Sequence, residues 1–270
     1  MQYYGDLSGD ESDENSASSH SETELDEPEP FRIVLHADVD CFYGQCEMLR
    51  LKLPPDRPLA IQQKHIIVTS NYAARRLGVG KLESVDTALS KCPSLLLVNG
   101  SDLHEYRKHS QQIYASFRQS VLVKMTNSSV SKGSMDEMMA EWFQSPRKDH
   151  ERNDFDDDSD IYIYDPSMTT RFKEDQSGVE TVVRHANPQS NQSPTTKELK
   201  MQQQLLRAAR VASDIRETVL EETGFTVTIG ISTTLQNAKL ASSLRKPATV
   251  NVLLPMHAPA LVSALPLRQI

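Results

Sequence analysis

Basic residues are missing from the start of this chain: residues 1–30 hold 10 acidic side chains and no Lys or Arg. Gly5 to Pro30 is rich in Ser, Asp and Glu and almost free of apolar residues, so it cannot bury enough surface to offset its ordering entropy. A disordered acidic tail is therefore expected over residues 1–30. The tail lacks the basic start and apolar stretch of a signal peptide. No apolar run is long enough to span a membrane, and no membrane partner is expected. Cysteine is scarce. Cys41, Cys46 and Cys92 show neither paired metal spacing nor a disulfide framework, which suits buried thiols in a reducing intracellular compartment.

The net charge of −8 is unevenly spread. Residues 143–199 hold 7 basic and 12 acidic side chains, whereas 31–142 and 200–270 together carry a net +7. The negative balance thus lies in the tail and in a central insertion. A modestly basic fold is compatible with contacts to a nucleic-acid backbone, and equally with ordinary scatter of surface charge.

Two acidic motifs stand about a hundred residues apart. The first ends the short, apolar, branched run Phe31-Arg32-Ile33-Val34-Leu35-His36-Ala37, which reads as a mostly buried β-strand. Asp38 and Asp40 then share a side of that strand, with the Val39 carbonyl between them. Carboxylates and a main-chain carbonyl are hard oxygen ligands of the kind magnesium takes. The same D-x-D pattern occurs in haloacid-dehalogenase-type phosphatases and in metal-dependent glycosyltransferases. The second motif is Ser134-Met135-Asp136-Glu137, whose adjacent acids face opposite ways on a strand unless the backbone bends; alone it reads as a solvated turn. Candidate phosphate ligands accompany both. Asn71-Tyr72-Ala73-Ala74-Arg75-Arg76 opens a helix on which Tyr72 and Arg75 share a face, pairing an Arg fork with a phenol hydroxyl. Lys239 lies on the helix that follows Gly230-Ile231-Ser232.

These residues resemble the Y-family of translesion DNA polymerases. The family's D-x-D-x-F-Y is met by Asp38 to Tyr43, its S-x-D-E by Ser134 to Glu137 and its N-Y-x-A-R by Asn71 to Arg75. Its G-I-S…A-K…K-P stretch is met by Gly230 to Ser232, Ala238-Lys239 and Lys246-Pro247. The resemblance covers roughly residues 31 to 142 and 203 to 270. It implies an α+β polymerase palm, a mixed or antiparallel sheet with helices on one face, from residues 31–41 and 103–249, with Asp38, Asp136 and Glu137 converging at one edge. It also implies a small fingers module over 42–102 and the beginning of a thumb over 250–270.

The implied activity is template-directed addition of a deoxynucleotide to a primer 3′-hydroxyl, with two Mg2+ ions, Mn2+ being an alternative. By resemblance Asp38 and Asp136 bridge both ions, Glu137 serves the ion that activates the hydroxyl, and the Val39 carbonyl completes the other. Tyr72, Arg75 and Lys239 hold the β- and γ-phosphates. Tyr43 is the steric gate against a ribose 2′-hydroxyl, and Phe42 supports it. Gln63, Lys64 and Ile66 match positions over the templating base in one branch of the family, where a narrow pocket favours Hoogsteen pairing. Primer-template DNA and a deoxynucleoside triphosphate are the implied partners, with replication or repair proteins reached through other regions, in the nucleus. A reading from another class is a polymerase-like scaffold, weak or inactive in catalysis, that binds partners through its acidic tail and insertion.

Elsewhere, the stretch from 145 to about 200 is charged and Ser/Gln/Asn-rich, a flexible insertion at a loop of the sheet. Ile161-Tyr162-Ile163-Tyr164 interrupts it as one edge strand, expected to pair with the acidic-motif strand. Leu205, Leu206, Ala209, Ala212, Ile215 and Val219 recur at helical spacing, with Gly224 as the stop. Phe225 to Ile231 alternates as a strand. The family's Asn-Lys pair after G-I-S is replaced by Thr234-Leu235, which removes one backbone contact to DNA.

Overall fold

The computed structural model describes residues 31–144, 161–166, 171–174, 180–183 and 195–265. The expected disordered tail and much of the insertion fall outside the described residues. The elements in chain order are β1 (Phe31–Val39), α1 (Phe42–Arg50), β2 (Leu59–Gln63), β3 (Ile66–Ser70), α2 (Tyr72–Arg76), α3 (Val85–Lys91), β4 (Leu96–Asn99) and α4 (His104–Lys124). There follow β5 (Ser128–Lys132), β6 (Glu137–Gln144), β7 (Ile161–Tyr164), β8 (Arg171–Glu174), β9 (Glu180–Val183) and α5 (Thr196–Thr223). The chain continues through β10 (Val227–Ser232), α6 (Leu235–Leu244), β11 (Val250–Leu253) and α7 (Ala258–Ala264).

Six strands form a mixed sheet in the order β5-β6-β1-β10-β11-β7. β1 is an inner strand, antiparallel to both β6 and β10. This explains its unbroken apolar run: Ile33 to Ala37 are buried because both faces of the strand are covered. On one face Ile33, Leu35 and Ala37 join Ile113, Phe117 and Val121 of α4 and Leu205, Ala209, Ala212 and Ile215 of α5 in a single core. α5 is bounded by local chemistry. Thr195 and Glu198 form a reciprocal capping box at its start, and Gly224 ends it at φ 77°, a left-handed conformation that glycine adopts without a Cβ clash.

The two long helices satisfy the expectation of helices on one face, but α6 packs on the other. Gly230 is the reason, since a Cβ there would lie 2.0 Å from the Ala238 carbonyl oxygen and 2.2 Å from the Ser242 nitrogen. Only a glycine lets the α6 backbone lie this close to β10.

Two other expectations are corrected. Ile161–Tyr164 is an edge strand, yet it pairs in parallel with β11 and not with the acidic-motif strand. β6 already has β5 on one side and β1 on the other, so β11 offers the free edge. Residues 250–253, expected to begin a thumb, form β11 inside the sheet, with all four side chains buried. A second sheet, β3-β2-β4, packs on α2 and α3 through Ala60, Ile67, Ala74, Val79, Ala88, Cys92 and Leu95. The smaller module therefore starts at β2: Phe42 and Cys46 of α1 belong to the main core. Among the described residues β8 and β9 pair only with each other. Among the described residues no helix is long and apolar enough to cross a membrane. Cys46 and Cys92 are buried thiols and Cys41 is half-buried.

Candidate active site

Asp38 stands on β1 directly opposite Glu137 at the start of β6. Asp136 is joined to the same place by its carbonyl, which accepts the Val39 N–H at 2.8 Å. The motifs thus meet at one end of two inner strands, and not at an edge of the sheet as expected. The bend that the adjacent acids require is made by Ser134. Its Oγ accepts from the Glu137 N–H at 3.1 Å and donates to Asp136 Oδ1 at 2.7 Å, so Asp136 sits before the strand and Glu137 on it.

Each of the three carboxylates has its own partner. Asp38 is ion-paired with Lys246, Asp136 is bonded to Ser134, and Glu137 meets the Lys239 ammonium through both oxygens, at 2.8 and 2.9 Å. Burial alone would raise the Glu137 pKa, but the Lys239 hydrogen bond and charge, helped by His36 and Lys246, hold it below the usual carboxylate range. Among the described residues no three His, Cys, Asp or Glu side chains converge closely enough to hold a metal ion. The backbone brings the acids together, while their side chains are turned to separate partners. As a donor set, two strand-end carboxylates, a third on the adjoining bend and a nearby carbonyl still suit a hard divalent cation.

Asp40 has a different task. It is 1% exposed, and it accepts from Thr228 Oγ1 at 2.8 Å and from the Ala248 N–H at 2.9 Å. Burial pushes its pKa up against the pull of Lys246 and these donors. It ties β1 to β10 and to the loop carrying Lys246. Asp40→Ala should lower stability by about 2–4 kcal/mol in a urea melt, because it leaves buried donors unpaired; a change below about 1 kcal/mol would refute this role.

His36 lies beneath the acids at 2% exposure. Its Nδ1 is 2.9 Å from Ser242 Oγ, and its Nε2 is 3.8 Å from Glu137 Oε2. Ser242 Oγ donates to the Lys239 carbonyl, so it accepts from His36 Nδ1. Burial lowers the His36 pKa, against the charges of Glu137 and Asp38. Neither His36 nor Ser242 was marked by any sequence motif.

Tyr43 is half-buried on the first turn of α1, its ring 4.8 Å from Tyr106 at 73° and 5.3 Å from Phe42. Burial and the charge of Asp136 both raise its pKa. Phe42 is core, with Phe225 and Tyr106 around it.

Across the site, Asn71 caps α2 by accepting from the Ala74 N–H at 2.9 Å. The same side chain also bonds the Leu59 N–H and the Arg57 carbonyl, so the motif's asparagine is an anchor. α2 then presents Tyr72 and Arg75 on one face, the guanidinium carbon 5.1 Å from the ring centre and Nε donating to the Ser70 carbonyl. Burial raises the Cys41 pKa, against the charges of Arg75, Lys81 and Lys246. Lys239, expected to serve with Tyr72 and Arg75, is instead on Glu137. Gln63 and Ile66 are cross-strand partners at the end of the β2–β3 hairpin, flanking a turn in which Lys64 has φ 53°. Gln63 Nε2 donates to the Gly100 carbonyl, while Lys64 and Ile66 are exposed.

A mixed sheet that brings two acidic motifs to one strand end, beside a Tyr/Arg face on a smaller module, defines a palm-like domain. The impB/mucB/samB family matches residues 37–243, and the chain belongs to this family, the one its motifs resemble. It is 32% identical to DNA polymerase iota of Mus musculus over 234 residues, 87% of this chain and 29% of that protein. It is 48% identical to DNA polymerase iota of Drosophila melanogaster over 83 residues, 31% of this chain and 11% of that protein. To DNA polymerase IV of Pectobacterium atrosepticum it is 28% identical over 243 residues, 88% of this chain and 51% of that protein. The chain therefore spans less than a third of the polymerase iota length and about half of polymerase IV.

Proposed function

We propose that this chain carries the nucleotide-adding centre of a translesion DNA polymerase, extending a primer 3′-hydroxyl against a template during bypass of DNA damage. The observation that carries this reading is the register that sets Asp38 opposite Glu137 with Asp136 hooked onto Val39. Two divalent ions, Mg2+ or Mn2+, would supply charge stabilisation at the attacking and leaving oxygens. Asp38, Asp136, Glu137 and the Val39 carbonyl would hold these ions, with Glu137 serving the primer hydroxyl and the Val39 carbonyl the nucleotide. Tyr72 and Arg75 bind the β- and γ-phosphates and neutralise charge that grows on the leaving group. Gln63, Lys64 and Ile66 cover the templating base from the hairpin of the smaller module. Primer-template DNA and a deoxynucleoside triphosphate are the substrates, and the nucleus is the compartment.

Tyr43 excludes ribonucleotides in this scheme, with Tyr106 and Phe42 packed against its ring so that it cannot retreat. Tyr43→Ala should reduce discrimination against ribonucleotides by about a hundredfold in single-nucleotide incorporation; unchanged sugar selectivity would remove Tyr43 from this role.

The reading as a whole is tested by primer extension with this chain, alone and fused to the thumb and DNA-gripping domains of a relative. Incorporation by the fused protein that disappears in Asp136→Ala supports the polymerase. DNA binding with no incorporation overturns it in favour of a scaffold.

A further inference from the structure

Lys239 projects from the middle of α6 onto Glu137, and it spans both carboxylate oxygens at 2.8 and 2.9 Å. Its origin is fixed, because Gly230 lets the α6 backbone press against β10 and the Ser242 contact to His36 pins the next turn. A divalent ion bound to Glu137 would share the two oxygens that this ammonium engages. Two cations drawn to one carboxylate repel, so each weakens the hold of the other.

We propose that Lys239 is a positioning residue that competes with the divalent ion for Glu137 and so sets the ion concentration at which the site assembles. This rests on the two-ion reading given above. Three features of the pair fit exchange. Lys239 is the exposed partner, 57% against 26% for Glu137, so its ammonium can swing into water without losing burial. An ammonium is a strongly hydrated point charge that leaves a carboxylate more readily than the planar fork of an arginine would. The pattern also repeats across the strand pair, where Lys246 holds Asp38. Each acid is kept in place by a partner of its own, and an ion that gathers them competes with the two lysines.

Charge removal and charge strengthening should act in opposite directions. Mn2+ binding to the full chain, without DNA or nucleotide, can be followed through the electron paramagnetic resonance signal of free Mn2+. Only ions lost in Asp136→Ala are counted, which discounts binding to the acidic tail. Lys239→Met should tighten this binding about two- to fivefold, the range of a partly exposed ion pair, and Lys239→Arg should weaken it by a similar factor. In a Glu137→Gln background both substitutions should lose their effect. Circular dichroism melts show that each variant is folded. Unchanged or weaker binding by folded Lys239→Met overturns this inference alone, as does an effect that persists with Glu137→Gln, which would mark a general field and not competition. Wild-type protein with no Asp136-dependent Mn2+ overturns the two-ion reading, and this inference with it.

Discussion

Asp136→Ala should abolish nucleotide addition while leaving the fold intact, with incorporation falling by at least about 10³-fold. The two halves of this expectation rest on different atoms. What builds the motif is main chain and Ser134: the Asp136 carbonyl takes the Val39 N–H, and Ser134 Oγ takes the Glu137 N–H. Both survive the substitution. The side chain adds one bond, to Ser134 Oγ, at a half-buried position, so stability should change by no more than about 1 kcal/mol. A folded variant with retained incorporation in the fused protein would refute the assignment of Asp136. A variant that unfolds would refute the claim that its role is chemical.

Gly230→Ala should have the largest effect on stability, a loss of about 3 kcal/mol or more in denaturant melts. The new methyl would meet three backbone atoms of α6, at 2.0, 2.2 and 2.9 Å, and no rotamer change relieves a clash with backbone. α6 would have to lift off β10, carrying Lys239 away from Glu137 and Ser242 away from His36. Gly44 on α1 is the internal comparison. Its added Cβ finds nothing nearer than 3.7 Å, so Gly44→Ala should be neutral or stabilising by up to about 1 kcal/mol through reduced helix entropy cost. If Gly230→Ala melts within about 1 kcal/mol of the parent, α6 is not held as tightly as its geometry indicates.

What could be read in the sequence follows the range of the interactions. β1 was legible because an inner strand covered on both faces needs a continuous apolar run. α5 was legible because Leu205, Ala209, Ala212, Ile215 and Val219 keep helical spacing up to Gly224. The Ile161–Tyr164 strand was legible, but its partner was not, since alternation fixes which face is apolar and says nothing about the neighbour. β11 was missed because Val250–Leu253 is four residues long and buried on both sides, a pattern with no period. At the site, the motifs gave Asp38, Asp136 and Glu137 and the shared face of Tyr72 and Arg75. They did not give the pairing of Asp38 with Lys246 or of Glu137 with Lys239. Lys246 meets Asp38 across 208 residues and Lys239 meets Glu137 across 102, and only the folded sheet sets those pairs.

The place of β1 in the sheet also governs when this protein can fold during its synthesis. Asp38 faces Thr228 in register, and Asp40 takes its hydrogen bond from Thr228 188 residues later. At about 5–20 residues per second a ribosome needs roughly 10–40 seconds to cover that stretch. Through that interval β1 has an open edge along Ile33–Ala37, an apolar strand able to pair with another nascent chain. A chain stopped before Val227 should therefore aggregate and not persist as a smaller domain.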